Sequence, residues 1–143
     1  MKRIIFILCA LIGSVCTMMA QTSVLTEVVK EMNTECPMEI DNDLTLTGLS
    51  LTTDYLVLDC LVDETDIDIP TLRQHKGMLR DSFAEMFSEM IVSDSDIFTV
   101  AQCLYAEGKG VKINMRGQKS GQTVNVIFTP GEISNYFKSR NLY

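Results

Sequence analysis

Val111-Lys112-Ile113-Asn114-Met115-Arg116, Gly117-Gln118-Lys119-Ser120-Gly121 and Gln122-Thr123-Val124-Asn125-Val126-Ile127-Phe128 form one continuous stretch near the end of the chain. Val111, Ile113 and Met115 alternate with Lys112, Asn114 and Arg116, and Val124, Val126 and Phe128 alternate with Thr123 and Asn125. A strict period of two on both arms describes two strands with one buried face and one wet face, joined by a glycine-bounded turn. Thr129-Pro130-Gly131-Glu132 follows with a capping-box spacing and Pro at the first helical position, so a short helix closes the chain.

Outward from that hairpin, the same reasoning assigns the rest. Residues 23–35 carry Leu25, Val28, Val29 and Met32 on one helical face, and Pro37 ends the pattern. Leu44 to Leu51 and Tyr55 to Val62 read as a second hairpin bent at Thr52-Thr53-Asp54. Apolar phase slips across Gly48, from even at Leu44 and Leu46 to odd at Leu49 and Leu51, which predicts a bulge. From Pro70, the residues Leu72, His75, Leu79, Phe83, Met86 and Met90 recur every three or four, the stripe of one long amphipathic helix. Ser93-Asp94-Ser95-Asp96 breaks it and caps another helix running to about Glu107, with Gly108 suited to the left-handed closing position. The expected fold is therefore α+β: a four-stranded antiparallel sheet of two hairpins with helices packed on one face, in the order α-ββ-αα-ββ-α.

At 143 residues the chain holds one domain's worth of sequence. Eight Gly and three Pro are too few for a collagen-like or disordered chain. Lys2 and Arg3 precede an uncharged, mostly apolar run from Ile4 to Val15, which has the length of a signal-peptide core and is too short to span a bilayer. Residues 1–20 are accordingly expected to be a cleaved signal peptide, and 21–143 a single α+β domain in the periplasm or outside the cell. Cleavage after Ala20 fits the small residue wanted there, and a cut after Cys16 is the alternative. Acylation at Cys16 fits less well, because Val15 replaces the small residue that lipoproteins carry before their cysteine. No later run is long and apolar enough to cross a membrane.

Charge is unevenly distributed. The whole chain is at -7 and, without the leader, at -9. Residues 21–107 hold 18 acids and four bases, whereas residues 108–143 hold six bases and one acid. The acidic total excludes nucleic acid as a partner, since phosphates require a basic surface. Lys112, Arg116 and Lys119 fall on the wet face or turn of the last hairpin, so they are the candidate binding residues, for an acidic protein or an anionic glycan. The plainer explanation of the same charges is balance within the molecule against its acidic loops.

Catalytic and metal chemistry find little purchase. His75 is the only histidine, which excludes a two-imidazole metal site within one chain. It pairs formally with Cys36, Cys60 or Cys103, but it lies on an apolar stripe and the thiols look inward-facing, as small buried hydrophobes with at most one bridge. Asp41-Asn42-Asp43, Asp66-Ile67-Asp68 and Asp94-Ser95-Asp96 lack the continuation of a calcium loop and suit helix caps and solvated loops. Convergence of Asp63, Glu64, Asp66 and Asp68 is the remaining route to a calcium module. Nothing selects a carboxylate pair for hydrolysis from 19 acids. Arg116 to Gly121 is superficially like a phosphate loop but leads into a strand rather than a helix. No catalytic residue, metal or cofactor is implied.

Several short segments also carry a resemblance. Asn33-Thr34-Glu35-Cys36-Pro37-Met38-Glu39-Ile40, Leu44-Thr45-Leu46, Tyr55-Leu56-Val57-Leu58, Val62-Asp63-Glu64 and Phe128-Thr129-Pro130-Gly131-Glu132-Ile133, with the Ala20-Gln21 junction, resemble small exported proteins of Bacteroides-type bacteria. That family has no assigned biochemical activity, so the resemblance implies export and transfers no site residue. Cys60 and Cys103 lie outside the shared pattern. The function expected is an exported, non-catalytic binding module of the cell envelope, with a small secreted hydrolase using a Cys-His or carboxylate pair as the rival.

Overall fold

The computed structural model describes residues 23–142; the signal-peptide expectation, Cys9 and Cys16 lie outside them. Helix α1 (Val24–Glu35) begins at Ser23, whose hydroxyl accepts from the Leu25 amide, and it buries Leu25, Val28 and Met32. Three strands follow, β1 (Met38–Asp41), β2 (Leu44–Leu51) and β3 (Tyr55–Val62), and then three helices, α2 (Ile69–Gln74), α3 (Lys76–Ser93) and α4 (Ser95–Ala106). Strands β4 (Gly110–Gly117) and β5 (Thr123–Phe128) and helix α5 (Pro130–Arg140) complete the order α-βββ-ααα-ββ-α.

The α+β class and both anticipated hairpins are present, but the sheet is neither four-stranded nor antiparallel throughout. It has five strands in the order β1-β2-β3-β4-β5. Strand β1 pairs with β2, and the two hairpins meet through a parallel β3–β4 ladder. Parallel neighbours require a long crossover, and α2 to α4 supply it. Strand β1 escaped the alternation argument because its four residues contain only two apolar ones, Met38 and Ile40.

The bulge at Gly48 is where the phase slip placed it: Leu46 pairs with Cys60, and the next pair is Gly48 with Asp59. This extra residue returns Leu49 and Leu51 to the core face. Three apolar rows then cross four strands: Leu46-Cys60-Met115-Val124, Leu49-Leu58-Ile113-Val126 and Leu51-Leu56-Val111-Phe128. Asn33 of α1 holds the bulge, accepting from the Leu49 amide and donating to its carbonyl, both at 2.8 Å.

The long amphipathic helix expected from Pro70 is broken at His75. That residue closes α2 through its amide on the Thr71 carbonyl, and α3 starts at the next position. The break rotates His75 out of the apolar stripe. Its ring is exposed, not at the core edge, with Nδ1 3.0 Å from the Thr71 carbonyl. The other stripe residues, Leu72, Leu79, Phe83, Met86 and Met90, are half-buried. Bases on α2 and α3 guard the outer edge of β5: Arg73 donates to the Thr123 carbonyl, Lys76 to the Asn125 side chain and Arg80 to the Ile127 carbonyl. The Arg73 and Arg80 contacts occupy edge carbonyls that would otherwise invite another strand. Helix α5 starts with the anticipated box, Thr129 and Glu132 capping one another.

Candidate binding site

No residue of α3 is fully buried. The helix rests on the sheet through half-buried Leu79, Phe83 and Phe87 rather than pressing into it, with Phe87 edge-on to Phe128 at 5.8 Å between ring centres. Between the apolar sheet face and helices α1, α3, α4 and α5 this leaves a cleft of about 370 Å³. Ordinary close packing leaves few voids larger than a water molecule. The cleft instead falls in the size range of small-molecule sites, roughly 300–1,000 Å³.

Leu46 and Leu58 form part of its floor, and Phe83, Phe87, Ile97 and Leu104 part of its roof. Arg80, Glu132 and Tyr136 are among its few polar wall residues. Arg80 pairs with Glu132, and its guanidinium lies over the Phe128 ring at 4.8 Å. Both side chains are about two-fifths exposed, at 34% and 46%, so the pair marks where the cleft meets water. The Glu132 carboxyl is held below its ordinary pKa by the Thr129 amide first, then by the Thr129 hydroxyl and Arg80. Tyr136 lies one turn further along α5. Its hydroxyl is buried and has no hydrogen-bond partner among the described residues. Beyond it, fully buried Phe137 stacks on Tyr105 at 5.2 Å and closes that end.

The three expected binding residues lie along β4 and the turn that follows it. Lys112 is half-buried and Arg116 exposed on the uncovered sheet face, where Arg116 shares a shallow polar groove with Asp59, Asn114 and Asn125. Lys119 turns back onto its own chain: its amide donates to Glu64 Oε2 at 2.9 Å, and its ammonium group reaches the Glu64 carbonyl and the Thr65 hydroxyl. Ser120 donates to the same carboxylate from both amide and hydroxyl, each at 2.7 Å. The turn that looked like a phosphate loop does cradle an anion, and the anion is Glu64. Gly117 permits this approach, since a Cβ there would stand 2.4 Å from Glu64 Cδ.

Other candidates resolve into local structure. Asp63 accepts from the Thr65 amide and hydroxyl, Asp68 caps α2, and Asp94 accepts from the Ile97 amide at the start of α4. No three His, Cys, Asp or Glu side chains gather around a metal-sized space among the described residues. Cys36, Cys60 and Cys103 are free thiols, with Cys60 buried and the other two half-buried. Burial, then Asp59 and Cys36, pushes the Cys60 thiol up to about 12. Burial also raises Cys36 and Cys103, so none of the three is primed as a thiolate nucleophile. No described helix is long and apolar enough to cross a membrane.

Sequence reasoning passed over Arg80 and Tyr136, and it took Glu64 only as a candidate calcium ligand. A base on an acidic helix, a tyrosine after a capping box and an acid in an acidic loop have no distinguishing local pattern.

Fold and cleft together define a two-layer α+β protein with one mixed sheet and an apolar site beneath its helices. Among solved structures it is similar to a presumed secreted protein of Pseudomonas aeruginosa, with 19% identity and a TM-score of 0.57 over 76% of this chain and 88% of that one. A second similar structure is the pilotin of the Vibrio vulnificus type 2 secretion system, at 14% identity and a TM-score of 0.49 over 74% and 84%. The Pseudomonas protein shares the fold. No protein-family model and no curated protein matches the chain.

Proposed function

We propose that this chain is an exported, non-catalytic binding module of the cell envelope, with the cleft between α3 and the sheet as its ligand site. The cleft carries the reading: about 370 Å³ of apolar space at the centre of a small domain costs packing energy that a purely structural domain would recover by closing it. Export is supported by the leader-like first 20 residues, by the resemblance to exported Bacteroides-type proteins and by the fold shared with the presumed secreted Pseudomonas protein. Raised thiol pKa values and a solvent-facing His75 favour binding over hydrolysis. Docking through Lys112, Arg116 and Lys119 has less support, because Lys119 is already engaged by Glu64 and Thr65.

An uncharged fluorescent probe, N-phenyl-1-naphthylamine, should bind the purified protein with enhanced emission. Ala84 lies in the cleft wall, so Ala84→Phe should weaken that binding at least about tenfold while the melting temperature holds or rises, as a filled cavity predicts. A titration without enhancement would remove the cleft as a ligand site.

A further inference from the structure

The sheet face turned away from the cleft is polar where β3, β4 and β5 meet. Val111, Ile113 and Met115 point into the core, so Lys112, Asn114 and Arg116 stand on this other side. Pairing sets Asp59 of β3 and Asn125 of β5 on either side of Asn114. Asn114 donates its side-chain amide to Asp59 Oδ1 at 2.9 Å, and Lys76 reaches Asn125 Oδ1 at 3.3 Å from the sheet edge. These bonds use half of each group. The Asn114 carbonyl, the Asn125 amide and the second Asp59 oxygen still face the groove they share with Arg116.

The charges beside that row are uncommitted. Neither Lys112 nor Arg116 makes a hydrogen bond or ion pair with the described residues, in a chain that holds 19 acids. They lie four residues apart on one strand, about 13 Å, with Asn114 midway. Lys76 adds a third base at the β5 edge. Asp59 is the one acid in this half of the face, and Glu39 lies out on β1 opposite Thr45. The local balance therefore favours an anion, and two bases held apart along a strand suit a repeated acid better than a single one.

The hydrogen-bonding inventory narrows the ligand further. Arg116 and Lys112 only donate, Asp59 only accepts, and the two asparagines do both. A chain that carries acids alone would meet Asp59 with no donor to offer it. Hydroxyl groups supply that donor and match the asparagines as well. A protein partner is disfavoured, because such interfaces centre on apolar or aromatic anchors, whereas this groove presents Thr47, Asp59, Asn114, Arg116, Thr123 and Asn125.

We propose that this face binds an acidic glycan, a sugar chain bearing repeated carboxylates and free hydroxyls. Arg116 and Lys112 take the carboxylates, and the Asp59-Asn114-Asn125 row takes the hydroxyls. The site is separate from the cleft and does not rest on it.

Calorimetry of the full chain at low salt should show one-to-one binding of a galacturonic acid hexamer. Maltohexaose, which has hydroxyls without acids, and hexaglutamate, which has acids without hydroxyls, should each bind at least about tenfold more weakly. Arg116→Ala and Lys112→Ala should each weaken the hexamer at least about fivefold. Asn114→Ala should cost about three- to tenfold, the worth of one hydrogen bond, with the melting temperature showing that each variant is folded. Lys119→Ala and Ala84→Phe should change affinity less than twofold. No binding of the hexamer, equal binding of maltohexaose, or an unaffected Arg116→Ala would overturn the proposal. Equal or tighter binding of hexaglutamate would overturn it in favour of an acidic protein. None of these outcomes bears on probe binding in the cleft, which tests the other site alone.

Discussion

Glu64 illustrates how a single charge becomes part of a fold. Its oxygens accept from the Lys119 amide and from the Ser120 amide and hydroxyl, which ties the loop after β3 to the turn between β4 and β5. Hydrogen bonding to the charged form, the Ser120 hydroxyl foremost, lowers its pKa below the ordinary 4.5. A depressed acid stabilises the folded state fully above its unfolded pKa and loses that contribution as pH falls through the folded value. Glu64→Gln should therefore lower the urea midpoint at pH 7, and the gap to wild type should close as pH drops below about 4. A gap that persists unchanged at pH 3 would mean that the charge is not its source. Glu64 was legible only as a loop acid and candidate calcium ligand, because its partners lie some 55 positions away.

At the scale of elements, Asn33 joins the first helix to the irregular point of the sheet. Its amide satisfies both backbone groups of Leu49, just past the bulge that restores Leu49 and Leu51 to the core. Asn33→Ala strips both bonds at once and should cost about 1–3 kcal/mol. Urea denaturation should report this as a lower midpoint at unchanged slope; an unaltered midpoint would show that the bulge holds itself. The bulge was readable because a one-residue slip moves every later side chain to the other face, and Gly48 stood where the phase changed. The short strand β1 and the break at His75 were not. Two apolar residues do not make a period, and the stripe through His75 continues in sequence although the backbone does not.

The whole molecule is organised around β3 and β4, parallel and central. Cys60 lies in the middle of β3, with only 4% of its surface exposed. Its thiol is pushed up to about 12, chiefly by burial, so it is both covered and protonated at neutral pH. Reaction of Cys60 with a thiol reagent at pH 8 should therefore require opening of the central sheet and should follow global unfolding as urea rises. Prompt labelling in native buffer would show that the cleft gives direct access to β3. The charge asymmetry also resolves at this scale. Lys119 is bound by the Glu64 loop and Lys109 by the Thr52 and Thr53 carbonyls, so part of the basic segment is consumed by the molecule itself.

Alternation, helical spacing and capping residues determined seven of the elements (α1, β2 to β5, α4 and α5), the bulge at Gly48 and the inward face of the last hairpin. Each follows from interactions within a few residues, which a sequence displays directly. The parallel joining of the two hairpins, the fifth strand, the capture of Lys119 by Glu64 and the cleft beneath α3 were decided by the tertiary structure. They depend on how far apart the layers settle and which distant groups then meet, and no local period encodes either distance.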